Sequence, residues 1–432
     1  VTISAPIQAF TTRTFEKGTD TGPSAEAKAM ARITFQKLED HSPFFWGLLG
    51  LHALVIAAGL GAFFYMEHHG HIVTGMNNAI VWGTPHVFAV FLIVAASGAL
   101  NVASISSVFN NLAYKPFARL SGILAISLLV GGLMVLVLDL GRPERLTVAM
   151  TTYNFKSIFA WNIYLYAGFV FIVAAYLFTM MDRSVSRSGK TSKTMGWLAF
   201  AWRLALTTGT GSIFGFLVAR EAYDSAIMAP LFIAASFLYG LAFTVLVLLT
   251  MCRETRQQLM SEEMVAKFLN LVIIFALTVL YFTAVKHLTA LYASEHHGVE
   301  AFILRDGGVY TKLFWLGHVL IGCILPIVIA AFLSGEGKLL SSRQGLATAS
   351  VLAIFGGLCF MYVTIIGGQA YPLELFPGME VKSSFLDGEV ASYAPSLPEV
   401  LLGLAGVSIA MLATGVALKV LPFLPRGIET ES

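Results

Sequence analysis

The stretch Leu138-Asp139-Leu140-Gly141-Arg142-Pro143-Glu144-Arg145 directly follows a run, Leu120 to Val137, that carries no charge at all. An aspartate closing such a run, then Gly-Arg-Pro-Glu-Arg, is how a membrane helix looks as it breaks into a polar surface loop. Four ionised side chains, two of each sign, fall within the seven residues from Asp139 to Arg145. The simplest local arrangement pairs Asp139 with Arg142 and caps the helix. A carboxylate that takes part in proton chemistry is the other reading, and the two are compatible.

The whole chain shares the character of that run. Of its 432 residues 57% are hydrophobic and only 12% charged, with a mean hydropathy of +0.77. Ordinary soluble domains carry about 25% charged residues, so the chain reads as an all-α, polytopic integral membrane protein. Its net charge of +2 is too small to suggest nucleic acid. Cys252, Cys323 and Cys359 are scattered without a CxxC spacing, which argues against metal or iron–sulfur ligation by this chain and against a disulfide framework. Residues 1–42 mix Thr, Ser, Lys, Glu and Asp without an apolar core of signal-peptide length. They are expected to form a polar arm with one short amphipathic helix from Ala25 to Leu38.

Spanning a bilayer takes about 20 mostly apolar residues. Ten runs qualify: Pro43–Met66, Trp82–Phe109, Arg119–Leu138, Ile158–Met181, Met195–Ala219, Ile227–Met251, Met264–Leu288, Thr311–Leu333, Gly345–Ala370 and Leu397–Val420. The expected organisation is a transmembrane domain over 43–420, with a first four-helix bundle at about 82–219, a second at about 227–370, flanking outer helices, and a tail over 421–432. Thr84-Pro85-His86-Val87-Phe88 and Ala229-Pro230-Leu231-Phe232 each place a proline near a helix entrance, a weak sign of a repeat.

Lys and Arg in connecting segments stay cytoplasmic. Seventeen of them fall on the side of the N-terminal arm, from Arg13 to Arg426, against six on the other side: Arg142, Arg145, Lys156, Arg220, Arg305 and Lys382. Both termini are therefore expected in the cytoplasm, and the Asp-Leu-Gly-Arg-Pro loop outside.

Ionisable groups inside a membrane are costly, so each is a site hypothesis. Threading the helices places His86, Asp139, Arg142, Glu144, Tyr153, Asn154, Trp161, Asn162, Arg220, Glu221, Tyr223, Asp224, Lys286, His287 and His318 near the outer surface, with His52, Asn101 and Arg203 deeper. His86 beside a carboxylate such as Asp139 has the chemistry to donate a hydrogen bond to a quinone carbonyl and pass a proton; a helix-capping histidine is the plainer alternative. Trp161 and Tyr153 also suit an interfacial aromatic belt, and Asn154 or Asn162 suit helix–helix contacts. The charges of Arg220-Glu221-Ala222-Tyr223-Asp224 either neutralise one another or start a proton path. Arg203 either snorkels to the inner headgroups or joins Asn101 and His52 in a buried relay. Bis-histidine haem b would need two histidines at matched depth, and His52 has no clear partner such as His318. His68, His69, His71, His296 and His297 read as solvated loop residues.

The apolar helix ending in Asp139-Leu140-Gly141-Arg142-Pro143-Glu144-Arg145, followed by Tyr153-Asn154-Phe155-Lys156-Ser157-Ile158-Phe159-Ala160-Trp161-Asn162, resembles the NrfD/PsrC family of quinone-interacting membrane subunits. The tail Tyr371-Pro372-Leu373-Glu374-Leu375-Phe376-Pro377-Gly378, with Pro395-Ser396-Leu397-Pro398-Glu399, looks most like the DsrP branch, and the ten-helix length is also similar to the hydrogenase-2 membrane subunit. The resemblance implies a quinone pocket, for menaquinone or ubiquinone, near the outer face of the first bundle. It implies no haem, flavin or iron–sulfur cluster in this chain, and a periplasmic ferredoxin-type iron–sulfur partner. His86 and Asp139 would contact the ring and handle protons; Tyr153, Asn154, Trp161 and Asn162 would shape the pocket; Arg142, Glu144 and Arg145 would dock the partner. His52, Asn101, Arg203, Glu221 and Asp224 are the candidates for a proton path inward. Tyr223 departs from the Trp of some relatives. Rival readings are a haem b-type cytochrome subunit and a secondary transporter.

Overall fold

The computed structural model describes residues 34–39, 42–152, 154–182, 190–333, 339–373 and 388–426. Among them run ten long helices: α1 Pro43–His69, α2 Thr84–Ser107, α3 Ala118–Leu138, α4 Ile158–Met181, α5 Lys190–Gly215, α6 Met228–Thr255, α7 Glu262–Tyr292, α8 Val309–Leu333, α9 Ser342–Ala370 and α10 Leu397–Val420. Nine are long and apolar enough to cross a membrane, α5 being the exception. At 26 residues α5 is still about 39 Å long, by the 1.5 Å rise per residue. Its Thr207, Thr210 and Ser212 lower the hydropathy, but they are buried against protein, Thr207 on Ser97 of α2, rather than turned to lipid. The chain is a polytopic integral membrane protein.

The helices begin where the sequence supplies caps. Ser42 accepts from the Phe45 N–H with Pro43 at the first position of α1, and Ser261 accepts from the Met264 N–H at α7. Ser396 and Glu399 form a reciprocal capping box at α10.

Helices α2 to α5 pack as one four-helix bundle and α6 to α9 as a second. The bundles meet through α2 and α6, where Gly98 lies on the Ser236 backbone and Gly240 on that of Gly98 and Ala99. A side chain at either glycine would overlap backbone, so the close crossing depends on their having none. In the apolar window of α2, 89% is buried by protein, against 11% in α1. Helix α1 is thus a peripheral, lipid-facing element that packs chiefly on α10, which in turn lies against α2 and α3.

Ten antiparallel passages put both ends of the helical core at one end of the molecule, here called the terminal end. There β1 Phe35–Gln36 pairs antiparallel with β2 Leu424–Pro425. Arg119 sits 3.9 Å over the Phe35 ring and donates to the carbonyls of Pro422 and Met180, tying α3 to the ends of α4 and α10. This corrects the expected arm helix, because Phe35–Gln36 is extended; residues 25–33 lie outside the described residues. A short isolated helix is marginal in water, whereas a second strand satisfies the same backbone groups. The helix edges differ from the apolar runs by a few residues, chiefly where polar turns such as Lys190–Lys193 extend a helix beyond the lipid.

Candidate functional site

At the end of the molecule opposite the termini, α2 starts and α3 stops side by side. Gly83 caps α2, Pro85 fills its first turn, and His86 follows. Asp139 is the C-terminal cap of α3, and Gly141, at φ +64°, turns the chain away with its Cα against the His71 ring. His86 Nδ1 and Asp139 Oδ2 are 2.9 Å apart, although not aligned for a hydrogen bond. The Asp139 side chain is 1% exposed and the His86 side chain 20%. Among the described residues neither carboxylate oxygen has a hydrogen-bond partner, so a buried acceptor stands ready beside an imidazole that reaches the surface. With Nδ1 turned to Asp139, Nε2 is the ring nitrogen left for a ligand.

An aromatic wall backs the pair. Trp82 stacks on His86 at 6.2 Å and on Tyr223 at 6.4 Å, and Phe159 and Phe214 each lie 5.9 Å from it. Gln369, at the end of α9, fixes Trp82. Its carbonyl oxygen accepts from the Val81 and Trp82 N–H groups, and its amide donates to the Trp82 carbonyl. Arg220 donates to the carbonyls of Gln369 and Ala79. The Tyr223 hydroxyl donates to the Ile365 carbonyl, and burial pushes its pKa well up.

A second set of contacts holds the entrance of α2. Glu399, fully buried, accepts from the Gly75 and Ser396 N–H groups and from the Tyr393 hydroxyl. That hydroxyl accepts in turn from the Thr84 N–H at 2.7 Å. Burial, reinforced by the hydrogen bond to Glu399, raises the Tyr393 pKa, so the phenol stays protonated and keeps donating.

The other expected residues divide. Asn162 is buried and its amide donates to the Ile158 and Gly209 carbonyls, locking α4 to α5, while its Oδ1 is unpartnered. Asn154 and Trp161 are exposed and organise their own loop: Asn154 accepts from the Lys156 N–H, and Trp161 donates to the Phe155 carbonyl. Tyr153 lies outside the described residues. Arg142, Glu144 and Arg145 are exposed. The Asp139–Arg142 pair does not form, because the loop carries Arg142 into solvent while Asp139 turns inward to His86. Arg220 gives its guanidinium to backbone carbonyls, and Glu221 and Asp224 are exposed.

Arg203 does not snorkel. It is 1% exposed, held between the rings of Phe200 and Phe237 at 5.0 and 4.9 Å, and among the described residues its guanidinium makes one hydrogen bond, a long one to the Ser97 carbonyl. Helix α5 presents it to α2 and α6, so protein surrounds the stem that would have reached the headgroups. His52 faces Ser408 of α10, and no hydrogen bond joins His52, Asn101 and Arg203 among the described residues.

Residues 72–372 match the model of the family described as polysulphide reductase, NrfD. That span takes in both bundles, from the loop before His86 to the Gln369 that pins Trp82. The chain belongs to the NrfD family. Among curated NrfD relatives, the Hdr-like menaquinol oxidoreductase integral membrane subunit of Archaeoglobus fulgidus is 29% identical over 402 residues, 92% of this chain and 98% of that protein. A selenate reductase subunit of Mesobacillus selenatarsenatis is 21% identical, over 87% of this chain and 94% of its own length. A polysulfide reductase subunit of Wolinella succinogenes is 25% identical, over 68% and 96%.

The second bundle of this NrfD protein holds a further polar cluster. His287 Nδ1 and Glu300 Oε2 are 2.6 Å apart, both buried, and the Thr283 hydroxyl is 3.2 Å from His318 Nε2. Lys286 and His287 line a water-sized cavity of about 20 Å³ beside them. Sequence reasoning singles out neither Glu300, Gln369 nor Trp82. Trp82, four residues before His86, is the most recoverable of the three. Glu399 is the third residue after Ser396, a readable capping box, but its reach to Tyr393 and Gly75 is tertiary.

Proposed function

We propose that this chain is the quinol-binding membrane subunit of a quinone-linked oxidoreductase complex. The observation that carries the reading is the His86–Asp139 pair, a buried carboxylate with unsatisfied oxygens beside a partly exposed imidazole, at the membrane-edge end of the first bundle and backed by Trp82. Quinol oxidation releases two electrons and two protons. His86 Nε2 accepts a hydrogen bond from one quinol hydroxyl and takes its proton, Asp139 stabilises the resulting imidazolium, and the proton of the second hydroxyl passes to water at the same exposed end. The Trp82 face gives the flat ring an apolar surface to lie on. His86 is 20% exposed, which leaves the proton a short way to water.

Menaquinol as substrate, with oxidation as the direction, is supported by the Archaeoglobus relative, whose name is that of a menaquinol oxidoreductase subunit. A place in sulfur metabolism draws support from the polysulfide reductase relative. The electrons leave to an iron–sulfur subunit docked over the exposed Arg142, Glu144 and Arg145. The excess of Lys and Arg at the terminal end supports an orientation with that docking face outside the cytoplasm. A haem b reading has less to rest on, since His52 belongs to the α1–α10 contact and His318 to the second bundle.

The test is quinol-dependent turnover of the purified complex with His86→Gln. A loss of about a hundredfold or more is expected, the lower end of what a positioned acid–base group contributes, with subunit content unchanged. Full turnover in that variant would take His86 out of the site.

A further inference from the structure

A cavity of about 140 Å³ lies between α1, α6 and α10 near the terminal end, far from His86. Leu48 and His52 of α1, Leu246 and Thr250 of α6, and Met411 and Thr414 of α10 line it. The two threonine hydroxyls donate to carbonyls of their own helices, at Leu246 and Ala410. The His52 imidazole is engaged by Ser408. The walls are therefore apolar almost throughout.

Helix α1 is held against α10 on both sides of the cavity, at Gly59 and at Gly415, which lies on the Leu49 side chain. Gly59 touches Ala405 and the Leu401 carbonyl, too closely for any side chain at 59. Helix α6 closes the third side. A water needs about 10–15 Å³ and several polar partners. This space is far larger and offers almost none, so water does not fill it. Phe45 lines its terminal end and His52 its depth, seven residues or roughly 10 Å further along α1.

Just beyond that terminal end stand two cations. Arg253 lies one turn past Thr250 on α6, with its guanidinium 4.1 Å over the Phe44 ring. Lys419 follows Leu418 on α10, and its ammonium donates to the Glu39 carbonyl. The acid nearest Arg253 in sequence, Glu254, is buried and accepts from the Ser42 hydroxyl, so it does not face the same surface. An apolar slot roofed by basic residues at headgroup level has the chemistry of a lipid seat.

We propose that this cavity holds one acyl chain of an anionic phospholipid, with its phosphate against Arg253 and Lys419, and that this lipid wedges α1 onto α6 and α10. The full chain, purified in mild detergent, should retain about one phospholipid per chain by lipid extraction and native mass spectrometry, enriched in anionic species. Leu246→Trp and Leu48→Trp fill the slot from two different helices, and each should lose the retained lipid while still eluting as a single species. Arg253→Gln with Lys419→Gln should keep a lipid but lose the anionic preference. For the delipidated wild-type chain, phosphatidylglycerol should raise the melting temperature and phosphatidylcholine should not. Unchanged lipid in a well-behaved Trp variant overturns the proposal, as does an equal response to the two lipids. Release of a quinone instead of a phospholipid overturns it too.

Discussion

Asp139 puts a carboxylate at the C-terminal end of α3, where the helix dipole is already negative, a placement that costs roughly 0.3–1 kcal/mol in an exposed helix. It is buried besides, and both its oxygens lack hydrogen bonds among the described residues. A residue so placed is unfavourable for stability on every local count, and only the nearby imidazole offsets it. We expect Asp139→Asn to leave the melting temperature unchanged or higher, while quinol-dependent turnover falls by about a hundredfold. Equal turnover with equal stability would reduce the carboxylate to a cap. Arg203 is the opposite case, a buried cation that, among the described residues, has no acid beside it and two of its nitrogens unpartnered. Replacing buried charge with apolar volume is often neutral or stabilising, so Arg203→Met should melt at the same temperature or above. A drop of several degrees would mean that the guanidinium has a role its contacts do not reveal.

Among the elements, α10 influences the site without touching it. Its first turn sends Glu399 into the loop before α2, and through Tyr393 it sets the position of Thr84, two residues from His86. Glu399→Ala would strip acceptors from three donors, a hydroxyl and two N–H groups, at about 1–3 kcal/mol for each one left buried. We expect a fall in melting temperature together with a loss of turnover, and recovery of part of both in Glu399→Gln. The α2–α6 crossing is stricter. Gly240→Val should abolish accumulation of folded protein, whereas Gly61→Ala on α1, which has open space around it, should be silent. Expression and size-exclusion profiles of the two variants decide this.

At the scale of the molecule, the two bundles are unequal in their chemistry. The first places a surface-reaching histidine on a buried acid, while the second encloses His287, Glu300 and His318. The charge asymmetry of the ends predicts how the molecule sits. In a cysteine-free background, Glu144→Cys should react with a membrane-impermeant thiol reagent added to intact cells, and Gln257→Cys should react only after lysis. The reverse pattern would put the docking face in the cytoplasm.

Helix number and type followed from composition and the 20-residue arithmetic of a bilayer, because apolar runs of that length have no other stable place. Nine of the ten runs reappear as helices apolar enough to span, and α5 as a long helix whose polar residues face protein. His86 and Asp139 were identifiable too, since polar residues at the ends of apolar runs are few. Their pairing was readable only as one of two options, with Arg142, three residues away in sequence, as the other partner, and the packing of α2 on α3 turns Asp139 to His86. The same holds for Trp82, Gln369 and Glu399, whose partners lie up to 324 residues distant. Chain-local periodicity carries no record of which distant backbone groups a helix end will meet, and the tertiary fold alone supplies those partners.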